Sequence, residues 1–89
     1  MKVVVTVVGK DRVGIIAMVS NILAENKVNI LNVNQNIMDG FFNMVMIAEM
    51  TDNAMALTDL QQVLKEKGQA SNLEIKVQHQ DIFNVMHTV

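Results

Sequence analysis

The chain has no cysteine, proline, tryptophan or tyrosine, and only three of its 89 residues are aromatic. Without cysteine it can form no disulfide, thiolate nucleophile or iron–sulfur site. Its two histidines, His79 and His87, have no companion ligand at a metal-binding spacing, so we expect neither metal nor cofactor. The early apolar run at residues 3–8 is broken by Thr6 and is far shorter than the ~20 residues that cross a bilayer.

The charges are few and nearly balanced. Seven basic and nine acidic residues give a formal charge of −2, and the isoelectric point is near 5.5, so there is no electrostatic footprint for nucleic acid. Lys2 before an apolar run imitates a signal peptide, but Lys10 and Asp11 stand where the apolar region and cleavage site should be. We therefore expect a cytoplasmic protein with no nucleic-acid or membrane partner.

The length predicts one domain and a partner copy. A chain of 89 residues is about half of a typical ~150-residue domain. A chain of this size buries only ~60 to 65% of its extended-chain surface. Because it has no disulfides to compensate, we expect a homo-oligomer.

Three segments before residue 40 have a clear periodicity. Residues 3–8 are all β-branched, which predicts a central strand that is buried on both faces. From Val13 the apolar residues recur at helical spacing and predict a helix that continues to about Asn26, with Asp11 as its N-cap. Residues 28–38 return to a period of two, which predicts a strand with asparagines on one face.

A hairpin follows at Asp39-Gly40, because both central residues of a type I′ turn take positive φ. Residues 41–50 are then the returning strand. Counting outward from the turn predicts three pairs on one face: Ile37 with Phe42, Val33 with Met46, and Leu31 with Ala48. Met44, Met46 and Met50 are expected to fill the core on the same side.

The second half predicts a helix, a strand and a short tail. Turn and cap residues at 51–53 precede a helix that contains Leu57, Leu60 and Leu64. We expect this helix to end near Ser71, with Asn72 as a left-handed cap. Residues 73–78 alternate as a strand. In residues 81–89, the apolar positions Ile82, Phe83 and Met86 predict a short amphipathic extension that packs on this subunit or its neighbour.

The element order is therefore β-α-β-β-α-β. Two βαβ-type crossovers that share a hairpin give an α+β fold, the ferredoxin-like sandwich: a four-stranded antiparallel sheet in the order 4-1-3-2 with two helices on one face. The other face would carry more apolar side chains than a solvated surface usually does, so we expect a partner to cover it. These side chains are Ile30, Met38, Phe41, Val45 and Ile47.

The chemistry of the sequence is concentrated in residues 9–14, Gly-Lys-Asp-Arg-Val-Gly, which join a strand to the N-terminus of a helix. Free backbone N–H groups and the helix dipole favour an anion at such a junction. Gly14 leaves room for a ligand or another backbone, although a tight loop could need it for its conformation alone. Ile15 and Ile16 replace the Lys and Ser/Thr of a P-loop, which disfavours a nucleoside triphosphate.

This loop, the helix after it, and the Val28-Asn29-Ile30 opening of the second strand resemble an ACT domain, the small-molecule-sensing module of amino-acid metabolism. The resemblance covers residues 1–80 and leaves residues 81–89 as an extension. It is closest to the small stand-alone ACT-domain proteins of bacteria. The Asp-Arg-x-Gly-Ile signature also resembles the ACT modules of glycine-cleavage and nitrogen regulators.

The resemblance implies a non-enzymatic regulatory module that binds an amino acid or similar ligand at a homodimer interface. The α-carboxylate would suit the helix N-terminus, and the α-ammonium would need acceptors such as the Asp11 carboxylate and the Asn29 carbonyl. Many family members carry Pro at the position of Val13, and an uncharged polar residue at that of Asp11. The ligand-binding residues that the resemblance implies are Asp11, Arg12, Val13, Gly14, Ile15 and Asn29.

Other functions are compatible with the same fold. The chain could be an interaction protein that uses the same dimer surface and a protein partner without a metabolite. An acylphosphatase-like hydrolase would use a strand-to-helix anion loop, an Arg and an Asn, for which Arg12 and Asn29 are candidates. An RNA-recognition module is rejected, because Phe41 and Phe42 are the only aromatic candidates for base stacking.

Overall fold

A computed structural model describes residues 1–51 and 55–82 of the chain. The described part has the predicted β-α-β-β-α-β order. Its elements are β1 (Lys2–Lys10), α1 (Ile15–Glu25), β2 (Val28–Met38), β3 (Phe41–Met50), α2 (Leu57–Ala70) and β4 (Leu73–His79). No helix in these described ranges is long and apolar enough to cross a membrane.

The sheet has the order β2-β3-β1-β4, and every neighbouring pair is antiparallel. This confirms the predicted 4-1-3-2 order. The two long hydrophobic strands β1 and β3 are central, while the asparagine-rich β2 and the charged β4 form the edges.

The core lies between the sheet and the two helices. Alternate residues of β1 and β3 meet the apolar stripes of α1 and α2, and among the described residues no polar side chain is buried. The methionines Met44, Met46 and Met50 are buried on this face, as predicted. The other core members include Val3, Val5, Val7, Val19, Leu23, Leu60, Leu64, Ile75 and Val77.

The opposite face of β1 is only partly buried. Val4 is 1% exposed, but Val8 on the same face is 44% exposed. The prediction of a strand buried on both faces is therefore wrong at its C-terminal end, because both helices pack on the other side of the sheet.

The hairpin turns at Asp39 and Gly40, whose φ values of 53° and 83° confirm the predicted type I′ geometry. The predicted pairs Ile37 with Phe42 and Val33 with Met46 are confirmed. The predicted pair of Leu31 with Ala48 is wrong.

A register shift between Ile30 and Asn32 explains the difference, because Ile30 takes the place opposite Ala48. An extra residue in one strand of an antiparallel pair reverses the faces of the residues beyond it. Ile30 therefore packs against the core and does not lie on the uncovered face, which corrects that prediction too.

Helix α1 does not begin with an Asp11 cap. Its N-cap is Gly14, with φ 93°, and no side chain caps the helix by a hydrogen bond. The prediction failed because Gly14 can adopt a left-handed conformation, which places the N-cap three residues after Asp11. The helix ends at Glu25, where the Asn26 Nδ2 donates to the Ile22 carbonyl over 2.7 Å.

Helix α2 ends at Ala70, and Asn72 adopts the predicted left-handed conformation with φ 59°. The N-cap is Ala56, which makes no side-chain hydrogen bond. The predicted cap residues Asp52 and Asn53, and the predicted packing of Phe83 and Met86, fall outside the described residues. Ile82 is exposed on its own subunit.

Candidate functional site

The loop between β1 and α1 is tied to the β2–β3 turn. The backbone N–H of Asp11 donates to the Gly40 carbonyl over 2.9 Å. Asp11, Arg12, Val13 and Gly14 are all exposed, whereas Ile15 is buried in the core. The hydrogen bond of Asp11 therefore holds the start of the loop, and the buried Ile15 holds its end. The residues between them are exposed.

A cavity of about 510 Å³ opens between this loop, the first turn of α1 and the far half of β2. It brings together four of the six predicted site residues: Asp11, Arg12, Gly14 and Ile15. Val13 points away from it and is fully exposed. The remaining lining residues are Ile16, Ala17, Gln35, Ile37 and Phe42.

Backbone donors line one wall of the cavity. The first intrahelical bond of α1 runs from the Met18 N–H to the Gly14 carbonyl over 2.9 Å. The N–H groups of Ile15, Ile16 and Ala17 therefore precede the helical ladder and have no acceptor within the helix. Together with the positive end of the dipole, they suit a carboxylate or another anion.

The two charges of the loop complement a zwitterion. Asp11 and Arg12 are adjacent and both line the cavity. A carboxylate accepts hydrogen bonds from an ammonium, and a guanidinium donates to a carboxylate. Ile16 and Ile37 give the same cavity an apolar part.

The cavity exists because α1 covers only the first part of β2. Val28 is buried and Ile30 is half-buried, but every residue of β2 after Ile30 is exposed. Ile37 is on the helix side of the sheet, opposite the buried Phe42, and is nevertheless 55% exposed. This uncovered half of β2 forms the second wall.

Gln35 is the polar lining residue that the sequence analysis did not predict. It lies opposite the buried Met44, and so on the helix side of the sheet between Val33 and Ile37. The sequence signal for Gln35 was a polar residue between the apolar Val33 and Ile37 on the same face of the strand. The alternating asparagines on the other face of β2 obscure this signal in the sequence.

Asn29 does not reach this cavity within one chain. It pairs with Glu49 near the start of β2, whereas the cavity residue Ile37 lies at the end of the same strand. Eight residues of extended strand span about 26 Å. One small ligand therefore cannot contact Asn29 and the loop of the same subunit.

The distance between Asn29 and the loop also argues against a catalytic site within one chain. Arg12 and Asn29 lie near opposite ends of the sheet, so a single chain does not assemble the pair that an acylphosphatase-like site would use. Within residues 1–51 and 55–82, no three His, Asp or Glu side chains are grouped as a metal site.

Sequence comparisons match nearly the whole chain. The family model for the ACT domain matches residues 2–78. The UPF0237 protein CPE1496 of Clostridium perfringens is 51% identical over 89 residues, which covers 100% of both chains.

Structural comparisons agree. An ACT domain protein from Streptococcus pneumoniae has a TM-score of 0.83 and 37% identity, and the match covers 93% of each chain. A formyltetrahydrofolate deformylase from Pseudomonas putida KT2440 has a TM-score of 0.79 at 14% identity, with 89% of this chain matched to 29% of that one. The second similarity shows the fold alone.

Proposed function

The chain belongs to the ACT domain family, and on that premise we propose that it is a non-enzymatic regulatory module that senses an amino acid or similar small ligand at a homodimer interface. The observation that carries the proposal is the separation of Asn29 from the cavity that Asp11 and Arg12 line. If both ends of β2 serve one ligand, they must come from two copies of the chain.

The free edge of β2 supports this dimer. Exposed edge strands usually carry charges or proline that block pairing with another chain. The 11 residues of β2 contain neither, and they expose the apolar side chains of Leu31, Val33 and Ile37. The opposite edge strand, β4, is shorter and carries Glu74 and Lys76.

Antiparallel pairing of two β2 strands would complete the cavity. A pairing centred on Asn34 sets Asn32 opposite Asn36 of the partner subunit, so amide side chains meet across the interface. It also carries the start of β2, and with it Asn29, to the end of the partner's strand, near the turn at residues 39 and 40. That turn is bonded to the loop through the contact between Asp11 and Gly40.

The ligand would be an α-amino acid. Its carboxylate would lie at the free N–H groups of Ile15 and Ile16, close to the Arg12 guanidinium. Its ammonium would donate to the Asp11 carboxylate and to the side-chain carbonyl of the partner's Asn29. Its side chain would extend toward Ile37 and Gln35.

Amide NMR spectra during titration with a panel of amino acids test the proposal, since the chain has no Trp or Tyr for intrinsic fluorescence. Binding should shift the amides of residues 11–17, Gln35 and Asn29. Asn29→Ala should weaken binding by about 1 to 3 kcal/mol, whereas Asn43→Ala, an exposed asparagine of β3, should not. A dimer that shows no shift with any amino acid would contradict the ligand assignment.

A protein-interaction module is the second candidate. Met38 and Phe41 pair with each other on the face of the sheet that the helices leave open, and both are exposed. Exposed apolar side chains of this size are typical of protein-binding surfaces. A dimer that binds no amino acid would favour this function.

A further inference from the structure

A second cavity, of about 820 Å³, lies along the free edge of β4 and is separate from the proposed ligand site. Gln61, Lys65 and Gln69 line it from α2, spaced four residues apart on one side of the helix. Asn72 and residues 73–78 form the rest of the wall. We call this cavity the β4 groove.

The groove runs along the hydrogen-bonding edge of β4. The Gln61 Nε2 donates to the Val77 carbonyl over 2.7 Å, so this carbonyl points away from β1. Backbone groups alternate in direction along a strand, so those of Ile75 also point into the groove. The side-chain amide of Gln61 thus occupies a position that a neighbouring strand would take.

The hydrogen bonds between β1 and β3 lead to the same assignment of the backbone groups of β4. The Met50 N–H donates to the Met1 carbonyl over 2.9 Å, which assigns the odd-numbered residues of β1 to bonds with β3. Thr6 and Val8 then bond to their partners on β4, which are Lys76 and Glu74. Ile75, between those partners, is left with both backbone groups free.

Helix α2 closes the groove at one end. A Cβ on Gly68 would lie 2.8 Å from the Leu73 carbonyl oxygen, so helix and strand are in close contact there. The Leu73 carbonyl faces the helix, and the Val77 carbonyl is occupied by Gln61. Among Leu73, Ile75 and Val77, Ile75 is therefore the residue whose outward backbone groups are engaged neither by the helix nor by Gln61, although as a whole residue it is only 6% exposed.

The groove is locally basic in a chain of net charge −2. Its charged lining residues are Lys65, Glu74 and Lys76, and Glu74 already pairs with Lys76 at 3.3 Å. In the described ranges Lys65 has no ion-pair partner. It lines the groove from α2, between Gln61 and Gln69.

We propose that the β4 groove binds an extended acidic segment of another protein, which adds to the sheet as a fifth strand. Strand addition supplies main-chain bonds at Ile75, and alternate side chains of the segment face α2. A carboxylate on that face meets Lys65. A second copy of this chain fits less well, because two-fold pairing at Ile75 would set Lys65 against the partner's Lys65.

The test uses the synthetic peptide acetyl-Thr-Glu-Val-Glu-Val-Glu-Thr-amide, added to the labelled full chain and followed by amide NMR. The expected result is a set of shifts centred on Ile75 and Val77. Absence of shifts on β4 at millimolar peptide would overturn the proposal. Binding of a peptide with lysine in place of glutamate would overturn the assignment of an acidic partner.

Charge reversal on α2 provides the matched comparison. Lys65→Glu should weaken peptide binding by about five- to tenfold, because it places like charges together in the groove. Lys67→Glu makes the same change of net charge at an exposed position outside the groove, and should leave the affinity unchanged. Equal losses in the two variants would show a general charge effect and contradict docking at β4.

Discussion

The backbone N–H of Asp11 donates a hydrogen bond to the carbonyl oxygen of Gly40, at 2.9 Å, and thereby joins the loop before α1 to the turn after β2. The two residues are 29 positions apart in the chain, and the bond holds the loop beside the end of the β2–β3 hairpin. In the proposed dimer the turn also lies where the partner's Asn29 arrives. Ligand binding and subunit pairing would therefore depend on the same bond.

Gly40→Ala should loosen this connection. The φ of Gly40 is 83°, a conformation that costs a residue with a Cβ about 1 to 2 kcal/mol. We expect faster hydrogen exchange at the Asp11 amide in this variant. Gly40→Asn is the control, because asparagine tolerates left-handed backbone and should keep more of the protection. Unchanged exchange in Gly40→Ala would show that the turn does not hold the loop.

Gly14→Ala should destabilise the start of α1 even though nothing lies within 4 Å of the added Cβ. The cause is the φ of 93°, which is unfavourable for alanine, and the expected loss is about 1 to 2 kcal/mol of unfolding free energy. Urea unfolding measures it. Gly14→Asn should lose less. A fully stable Gly14→Ala would mean that the helix starts in another conformation.

Asp11→Ala should leave stability unchanged to within about 0.5 kcal/mol. A capping aspartate would cost about 1 kcal/mol on removal, but no side chain caps α1 by a hydrogen bond. The same variant should weaken amino-acid binding, because the ammonium loses an acceptor. The urea midpoint and the NMR titration separate these effects. A clear loss of stability with unchanged affinity would restore the capping role.

Gly68→Ala should destabilise the protein even though alanine favours helices by about 1 kcal/mol over glycine. The added Cβ would lie 2.8 Å from a backbone carbonyl oxygen of β4, which cannot move as a side chain does. Such overpacking typically costs about 1 to 3 kcal/mol. Gln69→Ala, at the next and exposed position, is the control and should be close to neutral. A stabilised Gly68→Ala would contradict the close contact of α2 with β4.

The sequence predicted the fold because its local signals agree with one another. Asp39-Gly40 specifies a turn that only one register satisfies, and Asn72 ends α2 in the conformation expected for asparagine. The register shift at Ile30 was not predictable, because alternation continues on both sides of it and apolar residues stand at both Ile30 and Leu31.

The candidate site was predictable only in part. The strand-to-helix loop indicated Asp11, Arg12, Gly14 and Ile15, and these four residues line one cavity. Gln35 was missed because its role depends on where α1 stops covering β2, which is a tertiary property. Asn29 was grouped with the loop by resemblance, and its distance along β2 became clear only from the strand register.

Mixing two binding-deficient variants tests the central claim most directly. Asp11→Ala and Asn29→Ala damage opposite ends of β2, so a dimer with one chain of each kind has one intact site only if the site spans two subunits. After unfolding and refolding of an equimolar mixture, the account predicts recovery of about a quarter of the wild-type sites by NMR titration. No recovery from the mixture, with both variants dimeric, would contradict it.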